Sequence, residues 1–332
     1  MNFSVDVFYS ESAALVLALF WVAILIDLVA GHLSATFVPS LNTPFTRMAR
    51  FLIKRLDRPT RTHAALRTRG AILLFIILPS LFYLGMLANQ LLGFGLYGYA
   101  IIVAVLVPLV AQKKGWQRLI QAGAALKTKK ETVNGAKEAG KTDLLLEARL
   151  AASGVILNFC SKLVPLTAWW CIGGFACLLP YLMLSRLVTV AEKKRTGTPS
   201  SPFFALITPV YELMTAPFSI AAAALLALAH FFLPGTNLGV FTSFNPTATI
   251  GLASRYFPLN AASHGLGLSL EADVGEEINK MAAKKPSHWI GPKTGRAQLN
   301  PTMMRKVWLI ILITFSLYMV VGAMIFTLLL PE

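Results

Sequence analysis

Charged residues are scarce in this 332-residue chain, and acidic residues are scarcer still. Only 14% of the residues are charged, whereas a soluble globular protein carries about a quarter. The acids number 15 against 30 lysines and arginines, which gives a formal net charge of +15. Several stretches of about 18 residues or more carry almost no charge, and such stretches are typical of membrane-spanning helices. The composition therefore excludes an ordinary soluble protein and predicts an all-α polytopic integral membrane protein.

Cysteine and histidine are also few, and their spacing excludes several kinds of site. Cys160, Cys171 and Cys177 lie in one apolar run and form neither a CxxC pair nor a disulfide framework. We therefore interpret them as small buried hydrophobic residues. The five histidines have no metal-ligand spacing, and neither an HExxH motif nor a serine nucleophile elbow is present. We expect no metal site and no hydrolase of these kinds.

The basic residues concentrate in the connections between apolar runs. Residues 34–69 and 113–149 are two such basic connections, and the positive-inside rule places them in the cytoplasm. The N-terminal segment has no basic n-region, so we expect it to lie outside and to remain uncleaved. Anionic lipid headgroups are the partner that this pattern predicts, and nucleic acid is not expected.

The apolar runs predict roughly five to eight membrane segments, including broken or re-entrant helices. Residues 70–111 exceed the length of one helix and break at the uncharged stretch NQLLGFGLYG. The run over residues 150–190 breaks near Pro165 or at Gly173–Gly174. In the next run, Pro209 and Pro217 interrupt the pattern, so a single kinked span and a re-entrant half-helix followed by a span are both open.

Residues 234–304 form the largest polar segment and precede a last span at 307–330. The side of the membrane on which this polar segment lies depends on how the preceding prolines are accommodated. We expect residues 1–332 to form a single membrane domain.

One stretch matches a phosphate-binding loop letter for letter. Residues 135–142, GAKEAGKT, fit the pattern G-x-x-x-x-G-K-[ST]. The mechanism of that loop also requires a buried strand before it and a helix after it, and the preceding LKTKKETVN is not a buried strand. We interpret the stretch as a basic loop facing phosphate-bearing ligands or lipid, and a true phosphate-binding loop is the alternative.

Polar side chains inside the apolar runs are functional candidates, because charges within a bilayer are costly. These are Asp27, Asn158, Lys162, Arg186 and Glu212. Asp27, Arg186 and Glu212 lie near the end of a run, from which a long side chain can reach the interface. Asn158 and Lys162 are four residues apart and share a helix face, so both a ligand role and an interhelical role are open for this pair. We expect Lys162 to face an inner cavity or the cytoplasmic mouth rather than lipid.

The order of several motifs resembles that of a known membrane family. IDLVAGH, with Asp27 and Gly31, is followed by TPFTRMARFLIKRLDR, with Pro44. Farther along the chain come Gly140–Asp143, LNFCSKLVPLTAWWCIGG and Ser243–Pro246. Together they resemble the adenosylcobinamide-phosphate synthase family of cobalamin biosynthesis (CobD/CbiB) and its relative AmpE, over nearly the whole chain. The resemblance implies localisation in the bacterial inner membrane, with the basic face toward the cytoplasm.

The reaction of that family is ATP-dependent amide formation between an adenosylcobyric acid carboxylate and an aminopropanol-type amine. Such chemistry needs carboxylates that hold Mg²⁺ on the phosphates. Most motif acids of the family are replaced here, and His32 stands where one of them would be. The resemblance therefore implies a pseudoenzyme without a resident cofactor: a non-catalytic accessory, sensory or ligand-binding membrane protein.

The resemblance also extends the set of candidate ligand-binding residues, and no catalytic residue is assigned. The full set is Asp27, Lys141, Asp143, Asn158, Lys162, Arg186, Glu212 and Asn245. One alternative is an active, divergent synthase that uses ATP and Mg²⁺ with Asp27, Asp143 and Glu212. Another is a structural subunit of a larger membrane complex, with a membrane-protein partner or a second copy of the chain.

Overall fold

The fold is known from a computed structural model, which describes most of the chain. The described residues are 11–37, 42–58, 60–110, 112–132, 139–194, 201–236, 253–271, 289–292 and 299–329. The helices are α1 (Glu11–Phe37), α2 (Asn42–Leu56), α3 (His63–Asn89), α4 (Gly95–Val110), α5 (Gln112–Thr132), α6 (Ala139–Asn158), α7 (Val164–Gly173), α8 (Phe175–Lys194), α9 (Ile207–Ala229), α10 (Ala253–Leu266) and α11 (Pro301–Leu329). Short 3₁₀ turns cover Gln90–Phe94, Pro202–Ala205 and His230–Phe232, and a π-helical turn covers Phe159–Leu163. Two short strands, β1 (Leu270–Glu271) and β2 (Trp289–Ile290), pair antiparallel.

The length and composition of these helices confirm an all-α polytopic membrane protein. Among the described residues, four helical stretches are long and apolar enough to cross a membrane: His63–Thr128, Leu144–Gly173, Ile207–Phe232 and Pro301–Leu328. The first of them contains two apolar helices, α3 and α4. Two shorter apolar helices, Ala14–Val29 and Phe175–Ala191, accompany these stretches.

The chain divides into two compact units. The first unit consists of Met1–Ala111, Pro165–Met214 and Ala323–Glu332, and the second of Gln112–Val164 and Thr215–Gly322. In the first unit, α3 packs on α8, α1 on α4, and α2 on α8. In the second, α5 packs on α6, and α10 packs on α6 and the π-helical turn. The expected organisation as one membrane domain stays a prediction.

Two glycines let α3 approach its neighbours closely within the first unit. A Cβ on Gly85 would collide with the backbone of Phe175 and Ala176, and a Cβ on Gly70 would collide with the carbonyl of Phe203. Small residues at such points allow helix backbones to come together, which is how helices associate without a hydrophobic driving force in lipid. The contacts of α3 with α8 and with the turn Pro202–Ala205 therefore each depend on a position without a side chain.

The break between α7 and α8 lies at Gly174, within the predicted pair of glycines. Gly174 has a φ of 58°, a left-handed conformation that favours glycine. The side-chain amide of Asn89, at the end of α3, bridges this break. Its Nδ2 donates to the carbonyl of Gly173 at 3.0 Å, and its Oδ1 accepts from the N–H of Phe175 at 2.8 Å. One side chain thus replaces backbone hydrogen bonds that the turn leaves unmade.

The long run before α7 is also interrupted near Pro165, as expected. The π-helical turn Phe159–Leu163 ends two residues before this proline, and Val164 N–H donates to the carbonyl of Phe159. Proline has no N–H to donate to the residue four positions earlier, so the wider turn shifts the hydrogen-bonding pattern. The interruption is therefore a change of helical pitch rather than a loop.

The prolines of α9 do not divide it into two segments. Pro209 lies in the first turn, where its missing N–H needs no helical partner, and Pro217 lies inside a helix that continues to Ala229. The carbonyl of Met214 accepts a hydrogen bond from Trp169 Nε1 at 3.0 Å. The described residues form a single apolar stretch, Ile207–Phe232. This arrangement favours the single kinked span over a re-entrant half-helix followed by a span.

Aromatic side chains of α5 and α11 form a cluster in the second unit. Gly115 of α5 faces α6, because a Cβ there would lie 3.6 Å from Val155. Beside it, Trp116 packs edge-on against Trp308 and Phe315 of α11, with ring centroids 6.5 and 6.1 Å apart. Edge-to-face pairs of this kind are favoured by the ring quadrupole, so they hold α5 and α11 together.

We predict that Asn89→Ala lowers the free energy of unfolding by about 1–3 kcal/mol, because the two hydrogen bonds at the α7–α8 break are lost and their partners stay partly enclosed. Thermal unfolding of the purified protein in detergent measures the effect. Gln90→Ala is the matched control, since Gln90 is the exposed neighbour. Equal melting temperatures for the two variants would contradict the assigned role of Asn89.

Candidate functional site

The most unusual cation of the first unit is Arg186, on α8. Its neighbours along the chain, Ser185 and Leu187, are buried at 6% and 1% exposure, while Arg186 itself is half-buried. A half-buried charge in an apolar helix is costly unless other groups compensate it. The groups that surround Arg186 therefore decide what this position can do.

Two kinds of contact reach the guanidinium of Arg186. Its Nη2 donates a hydrogen bond to Oδ1 of Asn42, the first residue of α2. The rings of Tyr181 and Tyr211 lie near the guanidinium and stack on each other with centroids 6.3 Å apart and planes 18° apart. Residues from α2, α8 and α9 thus meet at one cation.

One donor of this guanidinium is left without a partner. Arg186 Nε is enclosed and makes no hydrogen bond within the structure. No carboxylate in the described part of the chain forms an ion pair with Arg186. A buried donor without an acceptor costs about 1–3 kcal/mol, and more when the group is charged. The site therefore contains an unused N–H next to an uncompensated positive charge.

Such an arrangement suits an anionic oxygen ligand. Arginine binds carboxylates and phosphates side-on through two parallel N–H donors, and Nε forms one of these pairs with a neighbouring Nη. The partly enclosed position strengthens electrostatic attraction relative to water. The chemistry available here is recognition of a carboxylate or phosphate group.

The two acidic candidates of the first unit are enclosed by protein. Asp27 on α1 is 3% exposed, and Glu212 on α9 is 4% exposed. Both take part in polar contacts or electrostatic interactions of the described structure. Neither carboxylate is open to its surroundings, and the expectation that they lie close to the membrane interface stays a prediction. Burial with polar contacts is the arrangement expected for buried acids.

Asn158 and Lys162 take different environments in the second unit. Asn158 is the last residue of α6, and its Nδ2 lies 3.8 Å from the position of a Cβ on Gly115 of α5. Lys162 is exposed on the π-helical turn, whereas Ser161 beside it is buried and donates to the carbonyl of Ser254. The Asn158 contact fits the interhelical alternative. The roles of both residues and the side that Lys162 faces stay predictions.

The remaining candidates are described only in part. Lys141 and Asp143 lie in the first turns of α6, where the structure gives the backbone alone, and Asn245 lies outside the described residues. The helix α5 precedes the GAKEAGKT stretch. Because a phosphate-binding loop follows a buried strand, the alternative of a true phosphate-binding loop is wrong.

The cysteine interpretation holds for one residue and is corrected for two. Cys160 is buried, but Cys171 is exposed and Cys177 is half-buried. The three lie on different helical turns of a run that the π-helical turn and the α7–α8 break reorient, so they do not share one buried face. Within the described residues, no group of three or more histidine, cysteine, aspartate or glutamate side chains is placed to hold a metal ion.

Sequence reasoning found Arg186 but missed its partners. Asn42, Tyr181 and Tyr211 have no distinguishing local pattern, and Asn42 lies 144 positions from Arg186 in sequence. The only available signal was the need of a buried guanidinium for acceptors, which does not say where they lie in the chain.

Comparison with known proteins identifies no relative of this chain. No protein-family model matches the chain, and no curated protein and no solved structure matches it either.

We predict that Asn42→Ala lowers the free energy of unfolding by about 1.5–3 kcal/mol, because it removes an acceptor from a charged donor. A double-mutant cycle with Arg186→Gln, measured by thermal unfolding in detergent, separates this pair from the other contacts of Asn42. Thr43→Ala is the control, since Thr43 is the exposed next residue of α2. Additive effects of the two changes would show that the pair contributes nothing.

Proposed function

We propose that this chain is a bacterial inner-membrane protein that binds an anionic ligand without converting it, and that Arg186 receives the ligand's carboxylate or phosphate oxygens. The observation that supports the proposal is the unpartnered Nε of Arg186, next to the Nη2 that donates to Asn42. A ligand oxygen at this point would satisfy the orphan donor and compensate the charge.

The class of ligand follows from the resemblance in motif order. The CobD/CbiB–AmpE family handles a corrinoid carboxylate and a phosphate-bearing aminopropanol, and both carry the anionic oxygens that an arginine recognises. The family's motif acids, which amide synthesis with ATP and Mg²⁺ needs, are mostly replaced in this sequence. A protein that keeps recognition and lacks this chemistry would serve as an accessory or sensory component.

The approach of the ligand is expected from the cytoplasmic side. The segment that ends α8 reads AEKK and continues with Arg195, and the positive-inside rule places such a basic end in the cytoplasm. Arg186 precedes Lys194 by eight positions, which corresponds to about 12 Å along a helix. A soluble anion from the cytoplasm could therefore reach the guanidinium without crossing the bilayer core.

We predict that adenosylcobyric acid or aminopropanol phosphate raises the melting temperature of the full chain in phosphatidylcholine nanodiscs, and that Arg186→Gln weakens this binding at least about tenfold. The affinity of Arg186→Lys for the ligand should lie between those of the wild type and Arg186→Gln, because lysine keeps the charge and loses the two-donor geometry. Arg67→Gln is the control, since Arg67 is an exposed base of α3. Inorganic phosphate serves as the minimal probe.

The outcomes of this experiment are distinct. Stabilisation by the organic ligands that Arg186→Gln does not change would refute the assigned site. Incubation of the same sample with ATP, Mg²⁺, adenosylcobyric acid and aminopropanol phosphate tests the synthase alternative. Amide product that disappears in Asp143→Ala would overturn the non-catalytic assignment and leave the chain as a divergent synthase.

A further inference from the structure

The helix α2 (Asn42–Leu56) has two faces of opposite character. Ala49 and Ile53 are fully buried, and α2 packs on α8. The opposite side carries exposed bases at four positions, and the sequence NTPFTRMARFLIKRL contains no acid. These bases are Arg47, Arg50, Lys54 and Arg55. The helix is therefore amphipathic, with an outward face of one charge sign.

Apolar side chains interrupt the basic face in a way that water alone does not favour. Phe51 is 59% exposed and Met48 is 40% exposed. The guanidinium of Arg55 lies over the ring of Phe51, 5.9 Å from its centroid, which is within the range of a cation–π contact. An exposed aromatic ring among basic residues is typical of helices that lie in the membrane interface.

The chain connections hold α2 near the bilayer surface. Helix α3 starts at His63, and the apolar stretch that can cross the membrane starts at the same residue. Six residues separate it from Leu56, and six extended residues reach about 20 Å at most. On its other side α2 is joined to the apolar helix of Ala14–Val29. The short connection to α3 therefore keeps the basic face within reach of the headgroup region.

We propose that the exposed face of α2, defined by Arg47, Arg50, Phe51, Lys54 and Arg55, is a binding surface for anionic lipid headgroups of one bilayer leaflet. Charge complementarity commits the surface to this occupant, because phosphate-bearing headgroups attract juxtamembrane bases. Phe51 and Met48 enter the boundary between headgroups and acyl chains. The first residue of this helix, Asn42, accepts a hydrogen bond from Arg186. The inference nevertheless does not depend on ligand binding at that arginine.

The surface has no acid of its own that would compensate the bases. The nearest acid in sequence, Asp57, follows the helix and accepts a hydrogen bond from the hydroxyl of Ser201. Exposed bases continue beyond it at Arg58 and Arg61. The positive charge of this region is therefore available to lipid.

The test uses the full chain in nanodiscs of phosphatidylcholine with a minority of phosphatidylglycerol. Lipids that stay with the protein after extraction are counted by mass spectrometry. We expect the wild type to retain phosphatidylglycerol several-fold above its share of the bilayer, because several bases of α2 attract anionic headgroups of the same leaflet. The variant Arg47→Gln/Arg50→Gln/Lys54→Gln/Arg55→Gln should lose more than half of this enrichment.

A second variant removes the same charge elsewhere. Arg67→Gln/Arg118→Gln/Lys127→Gln/Arg305→Gln changes four exposed bases outside α2 and should keep most of the enrichment. Equal losses in the two variants would overturn the proposal, since a general effect of net charge would then explain retention. If the α2 variant does not fold, Arg47→Gln/Arg50→Gln and Lys54→Gln/Arg55→Gln can be measured separately, each with a partial loss expected.

Two further outcomes identify other occupants. Addition of inorganic phosphate should leave the enrichment unchanged, and its loss at low phosphate would assign the surface to a free anion. Native mass spectrometry also gives the oligomeric state. A wild-type dimer that the α2 variant converts to monomer, without any lipid preference, would assign the face to a second copy of the chain and overturn the lipid assignment.

Discussion

The hydrogen bonds of one asparagine hold the first unit at the point where its helical path changes direction. The break at Gly174 leaves backbone groups without helical partners, and in an apolar surrounding each such group is costly. The amide of Asn89 supplies both an acceptor and a donor there. The glycine is required at the same place, because a Cβ on Gly174 would lie 2.5 Å from Asn89 Oδ1. The Asn89 hydrogen bonds therefore require glycine at position 174, and the break at Gly174 requires the hydrogen bonds of Asn89.

The position of α8 follows from this bridge, and the position of Arg186 follows from α8. At its beginning, α8 is held by Asn89 and by the close approach of α3 at Gly85. Farther along, it carries the packing surface for α2 and the guanidinium that donates to Asn42. An arginine is long and flexible, with a large side-chain entropy, so a site built on it needs fixed surroundings. The rigid start of α8 and the docked α2 supply them.

The sequence predicted features that depend on local composition and missed those that depend on distant contacts. Uncharged runs predicted the membrane fold. Glycine and proline predicted a break around Pro165 or at Gly173–Gly174, because proline restricts its own backbone and glycine adopts conformations that other residues disfavour. The acceptor of Arg186 lies 144 positions away, and no periodicity encodes such a pairing. The burial of Asp27 and Glu212 is a feature of the same kind, because their place near the end of an apolar run does not encode which parts of the fold enclose them.

The scarcity of acids has a consequence for how the remaining charge is neutralised. In the first unit, the acids whose side chains are described are Asp27, Asp57 and Glu212; the first and last are buried, and the hydroxyl of Ser201 donates to the other. None of them lies on the exposed face of α2, and none forms an ion pair with Arg186 in the described residues. Bases near a membrane without carboxylate partners attract anions from their surroundings. The proposed lipid surface at α2 and the proposed anionic ligand at Arg186 therefore have the same physical cause. In both places the positive charge has no carboxylate partner within the protein, so an anion from the surroundings is expected to neutralise it.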